Sequence, residues 1–292
     1  MRLTLRGDAI STRKSTIYDL ARMADVSAST VSAVLSGRWQ ARRIADDTAR
    51  RILELASTHA FTVNRQASGL RTNRSGLIGM IIPLHDNRFF SGMAQVFEKL
   101  ARQRHLYPIV VSTLRDPELE LETARTLISY RVECLLIAGA TDPDAISDVC
   151  RRHGVAHVNV DLPGKKAMSV VSDNFWGAQQ LTAALIARST PVRSRRRNRP
   201  YFLGGLPRAL FVNSTIALEG VVRFLKTLPP EELGTCTFGC YDWDPFAAML
   251  SFPLLMVRQD IEGLLGRAFE VLDANEHATP AVIEIRPQLV FA

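Results

Sequence analysis

The spacing of apolar positions changes character about a quarter of the way along the chain. From Thr16 to Gly37 they recur at helical intervals. Ile17, Leu20, Ala21 and Ala24 fall at i, i+3, i+4 and i+7, which predicts one amphipathic helix. Thr16 is placed to cap that helix, with Asp19 in its first turn, where a carboxylate suits the positive helix end. Ser27 is a second N-cap; Val31, Val34 and Leu35 point inward, and Gly37 stands where a left-handed C-cap belongs. The outward face of this second helix is then Ala28, Ser29, Ser32, Ala33 and Ser36, all small enough to clear a groove wall. A third helix starts near Asp46, Asp47 and Thr48, with Ala49, Ile52, Leu53 and Ala56 inward and Arg50 and Arg51 outward.

Beyond Ser75 the period switches. Short apolar runs begin at Leu77, Tyr107, Glu133 and Val155, about 22 to 30 residues apart, with helical stretches such as 93–103 and 121–129 between them. Apolar strands alternating with amphipathic helices predict a parallel, doubly wound α/β sheet. Ligands of such folds bind beyond the carboxyl ends of the strands. His85 to Phe90, Gly139 to Asp142, and Asp161 are therefore the residues to inspect.

Charge sharpens this division. The 292-residue chain carries a formal net charge of +7, and all of it falls in residues 1–75, which hold 13 basic and 6 acidic residues. The rest is neutral. A small basic module attached to a neutral body points to a polyanionic partner for the first and a separate task for the second. Two short helices with a tight turn, the second presenting small polar residues from its N-terminal end, meet the requirements for placing a helix in the major groove.

Other classes are excluded or left unsupported. No apolar run approaches the roughly 18 residues of a membrane helix, and the first residues lack the apolar core of a signal peptide, so a cytoplasmic protein is expected. Cys134, Cys150, Cys236 and Cys240 are sparse, and the last two have a three-residue gap rather than the two of a zinc or redox pair. Reduced, structural cysteines and no metal are expected. No dinucleotide, phosphate-loop or acyl-transfer motif follows any strand, so neither a cofactor nor catalytic residues are predicted. Asp161, Asp173, Asp242 and Asp244 read as sugar-hydroxyl acceptors or solvated residues. Phe89 and Phe90 read equally as core or as the floor of a sugar site.

TIYDLARMADVSASTVSAVLSG, then DDTARRILELA, then Phe61, Asn64, Ala67 and Leu70, resembles the N-terminal domain of the lac repressor/galactose repressor family of bacterial transcription regulators. The resemblance implies a helix-turn-helix domain over 15–63, a hinge helix and linker over 64–75, and an effector-binding and dimerising body over 76–292, built as a two-lobed periplasmic-binding-protein-like fold. It implies base contacts from Ala28, Ser29 and Ala33, phosphate contacts from Ser27, Thr30 and Ser32, and Thr16 among the DNA-contacting set. Asn64, Ala67 and Leu70 would belong to the hinge helix, with Leu70 as the wedge in a minor-groove step. In the body, Asn87, Phe89, Phe90 and Asp161 would line the cleft from one lobe, and Asn213, Asp242 and Gln259 from the other. The later motifs resemble most the branch that includes the fructose-responsive catabolite repressor/activator.

Several residues depart from the family pattern. Ala33 stands where many relatives carry a long polar residue. Gly69 lies inside the expected hinge helix, at a cost of about 1 kcal/mol relative to Ala, and Val63 replaces a frequent proline, so the hinge should depend on DNA for its order. The strand-like run RPYFLGG ends at Gly205 and the next, ALFVN, begins at Ala209, too close for parallel neighbours joined by a crossover. About two strand-helix units are missing near 205–209, including the arginine with which relatives clamp the sugar. Just upstream, five arginines fall within the seven residues 193–199, which reads as a solvated loop before it reads as a further nucleic-acid patch.

A dimeric, sequence-specific repressor of carbohydrate metabolism is expected, on a pseudo-palindromic double-stranded operator, with a sugar or sugar phosphate as effector. The shortened second lobe predicts a weak or absent effector response. The alternatives are an effector-insensitive or degenerate DNA-binding regulator and, more remotely, a sugar-binding protein or enzyme with an incidental helical module.

Overall fold

A computed structural model describes residues 15–61, 74–189, 206–234, 236–274 and 279–291, and the chain divides into two units, Met1–Arg74 and Ser75–Ala292. In the first unit Thr16 closes a capping box on helix α1 (Ile17–Met23): its side chain accepts from the Asp19 N–H while the Asp19 carboxylate accepts from the Thr16 N–H. Ser27 caps α2 (Ala28–Leu35), and Gly37 follows it at φ +72, the left-handed position expected. Helix α3 (Asp46–Thr58) starts without a side-chain cap. The three helices share a core of Leu20, Ala24, Val31, Val34, Ala49, Ile52 and Ala56, with Phe61 packed against it.

Two sequence assignments change in this unit. Leu53 is exposed and Leu55 packs toward the core instead. Arg51, expected to point only outward, donates through Nη2 to the Ala24 carbonyl at 2.7 Å and so satisfies a free carbonyl at the end of α1.

The second unit has two lobes. In the first, β1 (Leu77–Ile82), β2 (Tyr107–Ser112), β3 (Cys134–Ala138), β4 (Ala156–Val160), β5 (Ser169–Ser172) and β9 (Val282–Ile285) form one parallel sheet in the order β2-β1-β3-β4-β5-β9. Helices α4 (Arg88–Gln103) and α10 (Ile261–Asp273) cover one face through Phe90, Met93, Phe97, Leu264, Leu265 and Phe269. Helices α5 (Pro117–Ser129) and α6 (Pro143–Arg152) cover the other through Ala124, Leu127, Ile146 and Cys150. Helices on both faces explain why the strands read as continuous apolar runs rather than alternating ones.

The second lobe holds β6 (Ala209–Val212), β7 (Thr237–Tyr241), β8 (Leu254–Arg258) and β10 (Gln288–Phe291) in the order β10-β8-β7-β6, with only β10 antiparallel. Helix α8 (Thr215–Leu225) packs Leu218, Val222 and Leu225 on one face, and α7 (Asn174–Arg188) packs Leu181 and Leu185 on the other. A short helix α9 (Pro230–Leu233) precedes β7. Among the described residues this sheet has four strands against six in the first. The run 199–205, the arginine cluster at 193–199 and the hinge residues 64–73 lie outside the described residues.

Among the described residues the chain passes between the lobes three times, from β5 into α7, from β8 into α10, and from β9 into β10. The apolar period gave no hint of the last two passages.

Candidate DNA-reading helix and interlobe cleft

The N-terminal end of α2 gathers hydroxyl groups. Ser27 Oγ accepts from the Thr30 N–H at 3.1 Å and lies 2.8 Å from both Ser29 Oγ and Thr30 Oγ1. Ser27 and Ser29 are exposed, and Thr30 and Ser32 are half-buried. Hydroxyls at the positive end of a helix suit phosphate oxygens or base edges. Ala28 is half-buried against the helical core, and Ala33 is buried. The placement of Ala33 on the outward face is therefore corrected. Its methyl is shielded, and its carbonyl accepts from the Arg38 N–H at 2.9 Å. Thr16 is exposed and spent on its capping box. The sequence reading left out the loop after α2, where Arg38, Arg42 and Arg43 are all exposed and Arg38 Nε donates to Ser36 Oγ at 3.1 Å. Their crowding in the run RWQARR was the available signal. Asn64, Ala67 and Leu70 lie outside the described residues.

In the body, a cleft of about 350 Å³ opens between the lobes. It is lined from the first lobe by Asn87, Arg88, Phe89 and Gln95, and from the second by Asp242, Trp243 and Arg258, with Gln259 just before α10 and Glu262 in its first turn. Of the seven predicted effector residues it brings together Asn87, Phe89, Asp242 and Gln259. Phe90 is corrected to core: it is 3% exposed, in edge-to-face contact with Phe89 and pressed against Gly139. Asn213 is exposed beside the cleft rather than lining it; Thr215, two residues on, takes the position. Asp161 stands just beyond β4 outside the lining set. Gly139 to Asp142 are likewise not in the cleft wall. The buried Glu120 carboxylate instead ties down that loop by accepting from the Thr141 N–H at 2.9 and 3.0 Å.

Each polar group of the cleft has a defined setting. Asn87 caps α4 by accepting from the Phe89 N–H at 2.9 Å. Gln259 donates through Nε2 to Asp242 Oδ1 at 2.6 Å, and its side-chain Oε1 is buried without a partner. Burial raises the Asp242 carboxyl pKa, against the Gln259 hydrogen bond that lowers it. Asp161 is raised to about 6, first by burial and then by the negative charge of Asp242, while Arg115 opposes the shift. Arg258 lies 4.8 Å from the Trp243 ring centre, a cation–π contact. Arg88 Nε pairs with Asp244 Oδ2 across the lobes.

Burial dominates the cysteines and His157. Burial holds the thiols of Cys134, Cys150 and Cys240 up at about 12 and that of Cys236 at about 11, far from a reactive thiolate. Burial lowers the pKa of His157, whose Nδ1 lies 3.0 Å from the Val155 carbonyl. Among the described residues no group of His, Cys, Asp or Glu could hold a metal ion, and no helix is long and apolar enough to cross a membrane.

A three-helix head with a helix-turn-helix, carried on a two-lobed body with an interlobe cleft, defines a DNA-binding regulator with a sensor-type body. Comparison with known proteins makes this specific. Residues 16–64 match the family "Bacterial regulatory proteins, lacI family". The ribitol operon repressor of Klebsiella aerogenes is 44% identical over 212 residues, covering 70% of this chain and 78% of that protein. The fructose operon regulatory protein of Vibrio cholerae is 27% identical over 176 residues, 59% of this chain and 54% of that one. In fold, the chain is similar to the lac repressor bound to ONPG in the repressed state, with a TM-score of 0.75 at 18% identity over 95% of this chain and 98% of that one. The chain belongs to the lacI family of bacterial regulatory proteins. It is a DNA-binding transcription regulator and not an enzyme.

Proposed function

We propose that this chain is a cytoplasmic repressor of an operon for a small uncharged polyol, reading a pseudo-palindromic operator as a homodimer. The observation that carries the DNA-reading part is the hydroxyl cluster of Ser27, Ser29 and Thr30 at the exposed N-terminus of α2, within a unit that holds all of the net charge. Ser29 reads a base edge, and Ser27, Thr30 and Ser32 with Arg38 and Arg42 hold phosphates. With Ala33 shielded, fewer base contacts come from this helix, and the hinge around Asn64, Ala67 and Leu70 supplies more of the specificity. The module is 15–63, the hinge 64–75 and the body 76–292.

The cleft supports a polyol over a sugar phosphate. Its carboxylate–amide pair, Asp242 with Gln259, accepts from and donates to hydroxyls, and Gln259 Oε1 lacks a partner. Arg88 is paired with Asp244 and Arg258 lies over the Trp243 ring, and a phosphate entering the cleft would meet the acidic side chains of Asp242 and Glu262. The ribitol operon repressor's name makes ribitol the first compound to try.

The test has two arms. A gel shift on a palindromic site should weaken steeply with salt and be lost on Leu70→Asp or on deletion through Ser75. Salt-insensitive or absent binding overturns the DNA-reading part. Calorimetry with ribitol and with a pentose phosphate tests the cleft; preference for the phosphate overturns the polyol reading, and no binding of either supports the effector-insensitive regulator.

A further inference from the structure

We infer that the Arg88–Asp244 ion pair is a latch that ties the two lobes together across the cleft. Arg88 is the first residue of α4, on the first lobe's sheet. Asp244 precedes the 3-10 turn Pro245–Met249 in the loop beyond β7, on the second lobe. The pair therefore spans the lobes at the lip of the cleft that Arg88, Trp243 and Pro245 line.

The position of Arg88 has no local explanation. A cation in the first turn of a helix faces the positive end of the macrodipole, and α4 has no acidic residue there to offset it. An arginine kept against its own helix is accounted for by its partner across the cleft. Asp244 is built for that partner. Its Oδ1 is used within its own lobe, accepting from the Phe246 N–H at 3.0 Å, and its Oδ2 receives Arg88. Its side chain is 2% exposed, whereas that of Arg88 is 64% exposed. Losing the pair while the lobes stay in place would return the guanidinium to water at little cost but leave the Asp244 carboxylate, 2% exposed, without its cation. Such an uncompensated charge is strongly unfavourable. The asymmetry makes the pair a one-sided brake: the arginine swings free, and the aspartate penalises its departure.

Other charged groups near the lip do not take over this role. Arg258 is occupied over Trp243, Glu262 carries the wrong sign, and Asp242 is engaged by Gln259. The separation of the lobes is thus set in part by two of the body's own residues.

The experiment measures lobe separation by electron–electron distance in the full chain without DNA or ligand, with labels at Arg125→Cys on α5 and Glu219→Cys on α8, both exposed. With labelled chain diluted into excess unlabelled chain, so that a dimer holds one labelled protomer, the unmodified ion pair should give one short, narrow distance. Arg88→Ala should lengthen and broaden it, and because Arg88 is exposed the variant should fold, as checked by circular dichroism. Asp244→Asn keeps an oxygen for the Phe246 cap and should produce the same opening, with the double variant no more open than either single. A distribution unchanged in folded Arg88→Ala overturns the latch, as do additive effects in the double variant. Neither outcome bears on DNA reading.

Discussion

Asp161 and Asp242 each stand one residue beyond the end of a strand, in different lobes, and each holds a left-handed backbone, at φ 74 and 68. They are close enough for the charge of Asp242 to push the Asp161 carboxyl up, after burial has done most of that work. An acid whose folded pKa lies above its unfolded value binds its proton more tightly in the folded state. The stability this gives is present in full below about pH 4 and is lost as pH rises through about 6. Asp161→Asn should therefore match the parent in stability at pH 4 and exceed it by about 2 kcal/mol above pH 7. Asparagine tolerates the left-handed backbone, so no strain is added. Urea unfolding at the two pH values checks this, and equal differences at both would refute it.

Adjacent phenylalanines should behave differently. Phe90→Ala empties a fully packed site between α4 and Gly139 and should cost about 3–5 kcal/mol of stability. Phe89 is half-buried and lines the cleft, so Phe89→Ala should cost about half as much or less and instead weaken polyol binding. Chemical denaturation beside calorimetry separates the two. Equal stability losses would return Phe90 to the cleft.

Gly177 sits where α7 crosses the other threads between the lobes. A Cβ there would lie 2.7 Å from Tyr241 Oη and 2.8 Å from Pro287 Cγ. Neither can yield easily, since Tyr241 donates to Asn174 Oδ1 at 2.8 Å and the proline ring is rigid. Gly177→Ala gains about 1 kcal/mol of helix propensity but should lose more to overpacking, a net destabilisation of about 1–2 kcal/mol. A raised melting temperature would contradict this.

In the head, Thr16→Ala removes one half of the capping box and should cost about 1 kcal/mol. Hydrogen exchange at the Asp19 amide should accelerate about fivefold or more, while amides of α4 in the body keep their protection. Unchanged exchange at Asp19 would show that water caps the helix equally well.

The sequence carried the head well, because its signals are local: Thr16 and Asp19 are three residues apart, Ser27 caps its own helix, and Gly37 ends it. Ala33 was misread because helical spacing gives a direction but not what lies there; the turn whose Arg38 N–H binds its carbonyl follows Gly37 and has no period of its own. The first four body strands were legible as apolar runs buried on both sides. Strands β5 and β9 were not. Each has four residues with polar members, and they pair with one another across more than a hundred residues of chain. In the cleft, Asn87 follows from its place after β1, whereas Asp242 and Gln259 follow only from the family resemblance. Arg88 was flagged only by position, and its partner Asp244 lies in the opposite lobe, at a separation no local pattern encodes.

The three passages between the lobes also decide what a protease can do. Because β1 to β5 come before the second lobe and α10 and β9 come after most of it, neither lobe is one continuous stretch of chain. A single cut between α7 and β6 leaves each fragment contributing elements to both lobes. The nicked body should therefore run as one particle in size-exclusion chromatography and as two bands only after denaturation.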